Sequence, residues 1–207
     1  MLSTIVKISN VTNLSDARYC AGMGVEMLGF TIDKDHAQFV APEKFKEIRS
    51  WVSGVTLVGE TQSDDAEQIL ALLEQYPVDA LEVSVPGLIP FLVSSIQIPL
   101  LLRIDVDHTE ADGLPSLVRQ FGGSTSYLLL ESTRNAPMTA SWISALKSLP
   151  PGSPVLLGFG LDDDEQIPGY LDTLPVAGIA LRGSEELRPG FKDYGRMMDI
   201  LELLETE

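Results

Sequence analysis

Short apolar runs, each closing on a polar residue or a glycine-bearing turn, recur about every 25 positions between Ile5 and Arg182. They predict strands at Ile5–Ser9, Met27–Ile32, Val55–Glu60, Ala80–Val85, Pro99–Ile104, Tyr127–Glu131, Pro154–Phe159 and Ala177–Arg182. A helix is predicted after each run. Start signals stand at Ser15-Asp16, Pro42-Glu43, Ser63-Asp64-Asp65, Pro86-Gly87, Thr139, Asp162-Asp163 and Lys192-Asp193. There, side-chain oxygens can accept from the first free N–H groups, or proline fills a first-turn position. Met197, Met198, Leu201 and Leu204 fall at helical spacing within Tyr194–Leu204, the expected eighth helix, which closes against the first. Eight strand–helix repeats predict an α/β fold, a (β/α)8 TIM barrel in one domain over residues 1–207.

The 207 residues are 44 % hydrophobic, enough for a full core, with no composition break to mark a second domain. Thirty acidic against fourteen basic residues give a formal charge of −16, which argues against nucleic acid and anionic membrane as partners. No apolar stretch of about 20 residues and no leader pattern is present, so a cytoplasmic protein is expected. The single cysteine, Cys20, lies on the Leu14, Ala17, Ala21 stripe of the first helix and reads as a buried packing thiol.

In such barrels the chemistry gathers at the C-terminal ends of the strands. Side chains alternate along a strand, so Lys7 shares a face with Ser9, Glu82 with Ser84, Arg103 with Asp105, and Leu129 with Glu131. Pointed inward, these sets put two cations and three carboxylates at the mouth. Such charges must pair with one another or engage a ligand. Gly158-Phe159-Gly160-Leu161 follows the seventh strand and Arg182-Gly183-Ser184 the eighth, the two places where these barrels commonly hold phosphate. A phosphorylated small molecule is therefore the expected partner, with Lys7, Gly158, Gly160, Arg182, Gly183 and Ser184 as candidate contacts.

The opening segment Val6-Lys7-Ile8-Ser9-Asn10-Val11-Thr12-Asn13-Leu14-Ser15-Asp16-Ala17, with Gly24-Val25-Glu26-Met27-Leu28-Gly29-Phe30, resembles the start of phosphoribosylanthranilate isomerases. That family begins K-I-C-G-(I/L)-T-N-x-x-D-A and continues G-A-D-x-x-G-F. Weaker likeness continues at Val40-Ala41-Pro42-Glu43, Leu129-Leu130-Glu131-Ser132 and Gly158-Phe159-Gly160-Leu161. Pro189-Gly190-Phe191-Lys192-Asp193 is similar to the family's P-G-x-K-D. The resemblance implies a barrel catalysing an Amadori rearrangement in tryptophan biosynthesis, with a cysteine base and an aspartate acid. Those two positions fall on Ser9 and Glu131. Serine is a far weaker acid than a thiol, and glutamate carries its carboxyl one methylene further out. The family's carboxylate-pairing arginine falls at Ala37-Gln38, its Q-L-H-G at Glu82-Val83-Ser84-Val85, and its G-G-T-G at Thr133-Arg134-Asn135-Ala136-Pro137.

Three readings follow. In the first, the chain is a diverged member, impaired in the family reaction, that keeps a phosphorylated-metabolite site. In the second it is an active isomerase using Ser9 and Glu131, aided by His36 or His108 from loops at the same face. In the third it is a non-catalytic scaffold, whose hint would be an apolar patch at Leu88, Phe91 and Leu92. Glu82, Arg103 and Asp105 are auxiliary candidates in either enzymatic reading. No cofactor is implied, no metal-ligand spacing is present, and a monomer or homodimer is expected.

Overall fold

The two-residue alternation of the strands divides their apolar side chains into two sets that never mix. Met27, Val58, Ala80, Leu101, Leu129, Leu156 and Ala180 form a buried cluster of their own inside the barrel. Intervening residues such as Ile8, Leu28, Leu102, Leu130 and Leu157 join a larger cluster between strands and helices. In the computed structural model, which describes residues 1–183, 186–188, 191–192 and 195–206, eight parallel strands close on themselves in chain order. They are β1 (Ile5–Ser9), β2 (Met27–Thr31), β3 (Thr56–Thr61), β4 (Ala80–Val83), β5 (Leu100–Asp105), β6 (Tyr127–Glu131), β7 (Val155–Gly158) and β8 (Gly178–Arg182). Five paired positions, from Ile5 opposite Gly178 to Ser9 opposite Arg182, seal β8 against β1.

Around the barrel run α1 (Leu14–Gly22), α2 (Pro42–Trp51), α3 (Ala66–Gln75), α4 (Ile89–Ser95), α5 (Leu114–Phe121), α6 (Ala140–Lys147), α7 (Ile167–Thr173) and α8 (Gly195–Leu203). Pro42 starts α2, and the Asp65 and Thr139 side chains cap α3 and α6 as the sequence predicts. The cap of α1 is Asn13 instead of Ser15-Asp16: its Oδ1 accepts the Asp16 N–H at 2.9 Å, so Asp16 sits inside the first turn. β4 stops at Val83, two residues early, because Pro86 starts a short 3₁₀ turn before α4. Beyond β8 the sequence predicts a helix start at Lys192-Asp193. Lys192 instead belongs to β10 (Phe191–Lys192), antiparallel to β9 (Glu186–Arg188). Pro189, Gly190, Asp193 and Tyr194 lie outside the described residues.

Cys20 is buried, its Sγ 3.9 Å from Met197 Sδ on α8, which fits its reading as a packing thiol. The proposed patch on α4 is not continuous. Phe91 and Val93 are about half exposed, but Leu92 is fully buried among the core residues, because it lies on the helix face turned toward the sheet. Among the described residues no helix is long and apolar enough to cross a membrane.

Candidate active site

Above the apolar filling of the barrel lies a charged layer, built by the next inward position of several strands. Lys7, on β1, is fully buried. Its ammonium donates to Ser9 Oγ at 2.6 Å, pairs closely with the Glu60 carboxylate of β3, and lies 3.0 Å from Glu82 Oε2 of β4, off the line of a hydrogen bond to that oxygen. Burial by itself would lower the pKa of Lys7. The two carboxylates outweigh it and hold the ammonium above its ordinary range. Burial likewise pushes Glu60 up, but the Lys7 charge, with its hydrogen bond and that of the Asn10 N–H, brings Glu60 net below the usual value. For Glu82 burial wins, assisted by the neighbouring Glu60 and Glu131 charges, and its pKa is raised. Gly29 of β2 makes room for the contact: an added Cβ would overlap the Glu60 carboxylate and come within 2.9 Å of Lys7 Nζ.

Ser9 is buried at the end of β1. Among the described residues the hydrogen bond to its Oγ comes from the Lys7 ammonium, a donor that has no lone pair to take a proton from the hydroxyl. Glu131, at the end of β6, is held by two cations. Arg182 Nε donates to its Oε1 at 2.9 Å, and Arg103 Nη1 stands 3.7 Å from its Oε2. Arg182 also donates from Nη2 to the Ser132 carbonyl at 2.8 Å, so its guanidinium reaches across the mouth toward β6. Neither histidine is hydrogen-bonded to Ser9 or Glu131. His36 Nδ1 accepts the Gln38 N–H at 3.1 Å, and His108 Nδ1 lies 2.8 Å from Asp105 Oδ2.

At the glycine-bearing end a cavity of about 280 Å³ is lined by Gly158, Gly160, Leu161, Arg182 and Arg196 among others. Gly160 has φ +64° and lies against Met138, so a side chain there would be strained as well as crowded. Gly183 approaches the Ser9 and Asn10 carbonyls, and its N–H donates to Ser9 O at 2.8 Å, so that amide is already engaged. Ser184 lies outside the described residues.

Three residues escape the sequence reading. Glu60 could have been found from its parity with Val58, since both face inward. Arg196, near the start of α8, donates to the Leu161 carbonyl and to Asp164 Oδ1, the latter at 3.2 Å from Nε; only its place near the end of the barrel hinted at it. Asp107 ties down the loop after β6: its carboxylate accepts from Ser132 Oγ at 2.7 Å, Thr133 N–H at 2.8 Å, Thr133 Oγ1 at 2.9 Å and Arg134 N–H at 3.0 Å. The Ser132 bond leads, ahead of the opposing desolvation and the remaining bonds, in holding the Asp107 carboxyl at about 2. A lowered carboxyl pKa stabilises the fold above the unfolded value of about 4 and ceases to do so as pH falls through the folded value. Asp107→Ala is expected to speed amide exchange at Thr133 and Arg134 by roughly tenfold at neutral pH. Unchanged exchange would show that the loop is held by other contacts.

The fold and the charged mouth define a (β/α)8 barrel with its polar groups gathered at the C-terminal rim. No family model and no curated protein sequence matches this chain. Among solved structures it is similar to phosphoribosylanthranilate isomerase from Thermus thermophilus, at 20 % identity and TM-score 0.73, with 96 % of each chain covered. TrpF from Jonesia denitrificans is similar at 16 % identity and TM-score 0.75, covering 96 % of this chain and 95 % of its own. A phosphoribosylanthranilate isomerase in complex with reduced 1-(o-carboxyphenylamino)-1-deoxyribulose 5-phosphate matches at 19 % identity and TM-score 0.74, covering 96 % and 97 %. At these identities the likeness shows that the chain shares the (β/α)8 fold of these solved isomerases.

Proposed function

We propose that this chain is a diverged phosphoribosylanthranilate isomerase-like barrel that no longer catalyses the Amadori rearrangement efficiently and retains a site for a phosphorylated small molecule at its C-terminal face. The observation that carries this reading is the 2.6 Å bond from Lys7 to Ser9. The resemblance puts the family's base at Ser9, where a hydroxyl now accepts from a buried ammonium. General-base catalysis contributes about 10²–10⁴ in rate, and among the described residues a serine so placed has no partner to supply it. Glu131, at the acid position, is tied to Arg182. The cavity beside Gly160 supports the binding half of the proposal, with Arg182 and Arg196 on its wall as cations for an anion.

The test is a steady-state assay with freshly generated phosphoribosylanthranilate, read against its enzyme-free decay. The expected result is no turnover above that decay, while inorganic phosphate or ribose 5-phosphate raises the thermal midpoint. Turnover abolished by Glu131→Ala would overturn the loss of activity, and absence of any phosphate-dependent shift would overturn the binding half.

A further inference from the structure

Arg103 enters the barrel from β5 two residues above Leu101, which belongs to the interior cluster, and its side chain is 20 % exposed. Its ion-pair partner among the described residues is Glu131 Oε2 at 3.7 Å, beyond hydrogen-bond length, and none of its five N–H donors is hydrogen-bonded to a described residue. The carboxylates beside it in the cavity also carry other contacts. Glu131 Oε1 takes Arg182 Nε at 2.9 Å, and Asp105 accepts the Asp107 N–H at 2.9 Å and pairs with His108 at 2.8 Å. Lys7, fully buried, shows the contrast, with two carboxylates and a hydroxyl around it.

The guanidinium lines a cavity of about 220 Å³ together with Gln62, Ser84, Asp105, Glu131 and Thr133. None of these side chains is aromatic or aliphatic, so the functional groups a ligand meets there are hydroxyls, an amide and carboxylates. A guanidinium with its fork open matches a carboxylate in a planar, two-pronged pair. The surrounding hydroxyls, amide and carboxylates suit ligand hydroxyls, which both donate and accept. Asp105 and Glu131 repel a bare anion, which leaves Arg103 as the group that makes anion binding favourable.

We propose that this cavity binds the carboxylate end of a small hydroxylated aliphatic acid through Arg103. This deepens the metabolite reading and rests on it in one respect: the same molecule reaches the glycine-bearing cavity with its phosphate, making the ligand class a phosphorylated sugar acid.

Calorimetric titration of the whole chain with gluconate, 6-phosphogluconate, inorganic phosphate and benzoate tests it, using the parent, Arg103→Gln and Arg103→Lys. Gluconate and 6-phosphogluconate are expected to bind the parent, and Arg103→Gln to weaken both about tenfold or more while leaving phosphate unchanged. Arg103→Lys keeps the charge without the fork and is expected to weaken both severalfold, which serves if the glutamine variant does not fold. Equal gluconate affinity in parent and variants, no gluconate binding to the parent at about 50 mM, or tighter binding of benzoate than of gluconate would each overturn the proposal. Arg103-dependent gluconate binding without phosphate binding would sink the phosphate reading alone, and the converse would sink the carboxylate site alone.

Discussion

Lys7→Met is expected to lower the unfolding free energy by about 3–5 kcal/mol at neutral pH, because it leaves Glu60 and Glu82 buried without their cation. The loss should shrink in acid. In the parent, Glu60 sits below its ordinary pKa, so its stabilisation is present above the unfolded value of about 4.3 and fades as pH falls through the lowered one. Lys7 sits above its ordinary pKa, so its stabilisation is present below about 10.4 and fades as pH rises through the raised one. Glu82 runs against both: its pKa is raised, so stability falls as pH rises from the unfolded carboxylate value through the raised one. Without Lys7, Glu60 faces the same burial with only the smaller effects of Arg103 and the Asn10 N–H to offset it, and shifts toward the behaviour of Glu82. The variant should therefore recover part of its loss below about pH 5, where both carboxyls hold protons at little cost. Urea unfolding at two pH values reads this directly. Replacing all three groups, as Lys7→Met with Glu60→Leu and Glu82→Met, should restore most of the stability, since a buried ion cluster stabilises little beyond an apolar filling of similar volume. A loss below about 1 kcal/mol for Lys7→Met at neutral pH would mean that water reaches the two carboxylates.

Gly178→Ala is expected to cost more than about 3 kcal/mol. Gly178 opens β8 opposite Ile5 of β1, and a Cβ there would run into the Ile5 carbonyl oxygen and lie 2.8 Å from its carbonyl carbon. Both obstructing atoms are backbone, so no rotamer change relieves the overlap. The seam would have to open, and that seam closes the barrel and holds Ser9 level with Arg182. A chain that still folds should lose the Arg182–Glu131 pairing geometry as well as stability. Gly169→Ala is the control: it lies in α7 with nothing within 4 Å of the added atom, and it should be neutral or stabilising by up to about 1 kcal/mol. Equal costs at the two glycines would refute the seam argument.

The strands were legible because each is a local apolar run of the right length. β1 and β6 match the predicted bounds, and the other strands differ from them by one or two residues at one or both ends. The inward faces were legible too, since a period of two assigns Lys7, Ser9, Glu82, Arg103 and Glu131 to one side without reference to any other strand. The partners of those side chains were not. Parity says that Glu60 faces the interior; it does not say that Glu60, across the side-chain-free Gly29, is the carboxylate that Lys7 meets. Arg182 shows the same limit. Its place after β8 suggested an anion ligand, but did not say that its guanidinium also spans to Glu131 on β6, past Gly158, the β7 residue in register with Glu131, which has no side chain.

The sequence by itself determined the class of fold, the order of its elements and the side of the sheet each strand residue faces, because periodicity and capping act over a few neighbouring residues. Only the tertiary structure decided which charges neutralise one another and which donors stay open. Ser9 is bound by an ammonium, Glu131 is gripped by Arg182, and Arg103, beside a polar cavity, makes no hydrogen bond to a described residue. The grip of Arg182 on Glu131, like that of Lys7 on Glu60, depends on how closing the barrel brings residues more than fifty positions apart within hydrogen-bond reach. A one-dimensional pattern carries no such distances, and a shift of a few ångströms in a dry interior decides whether a buried charge is paired.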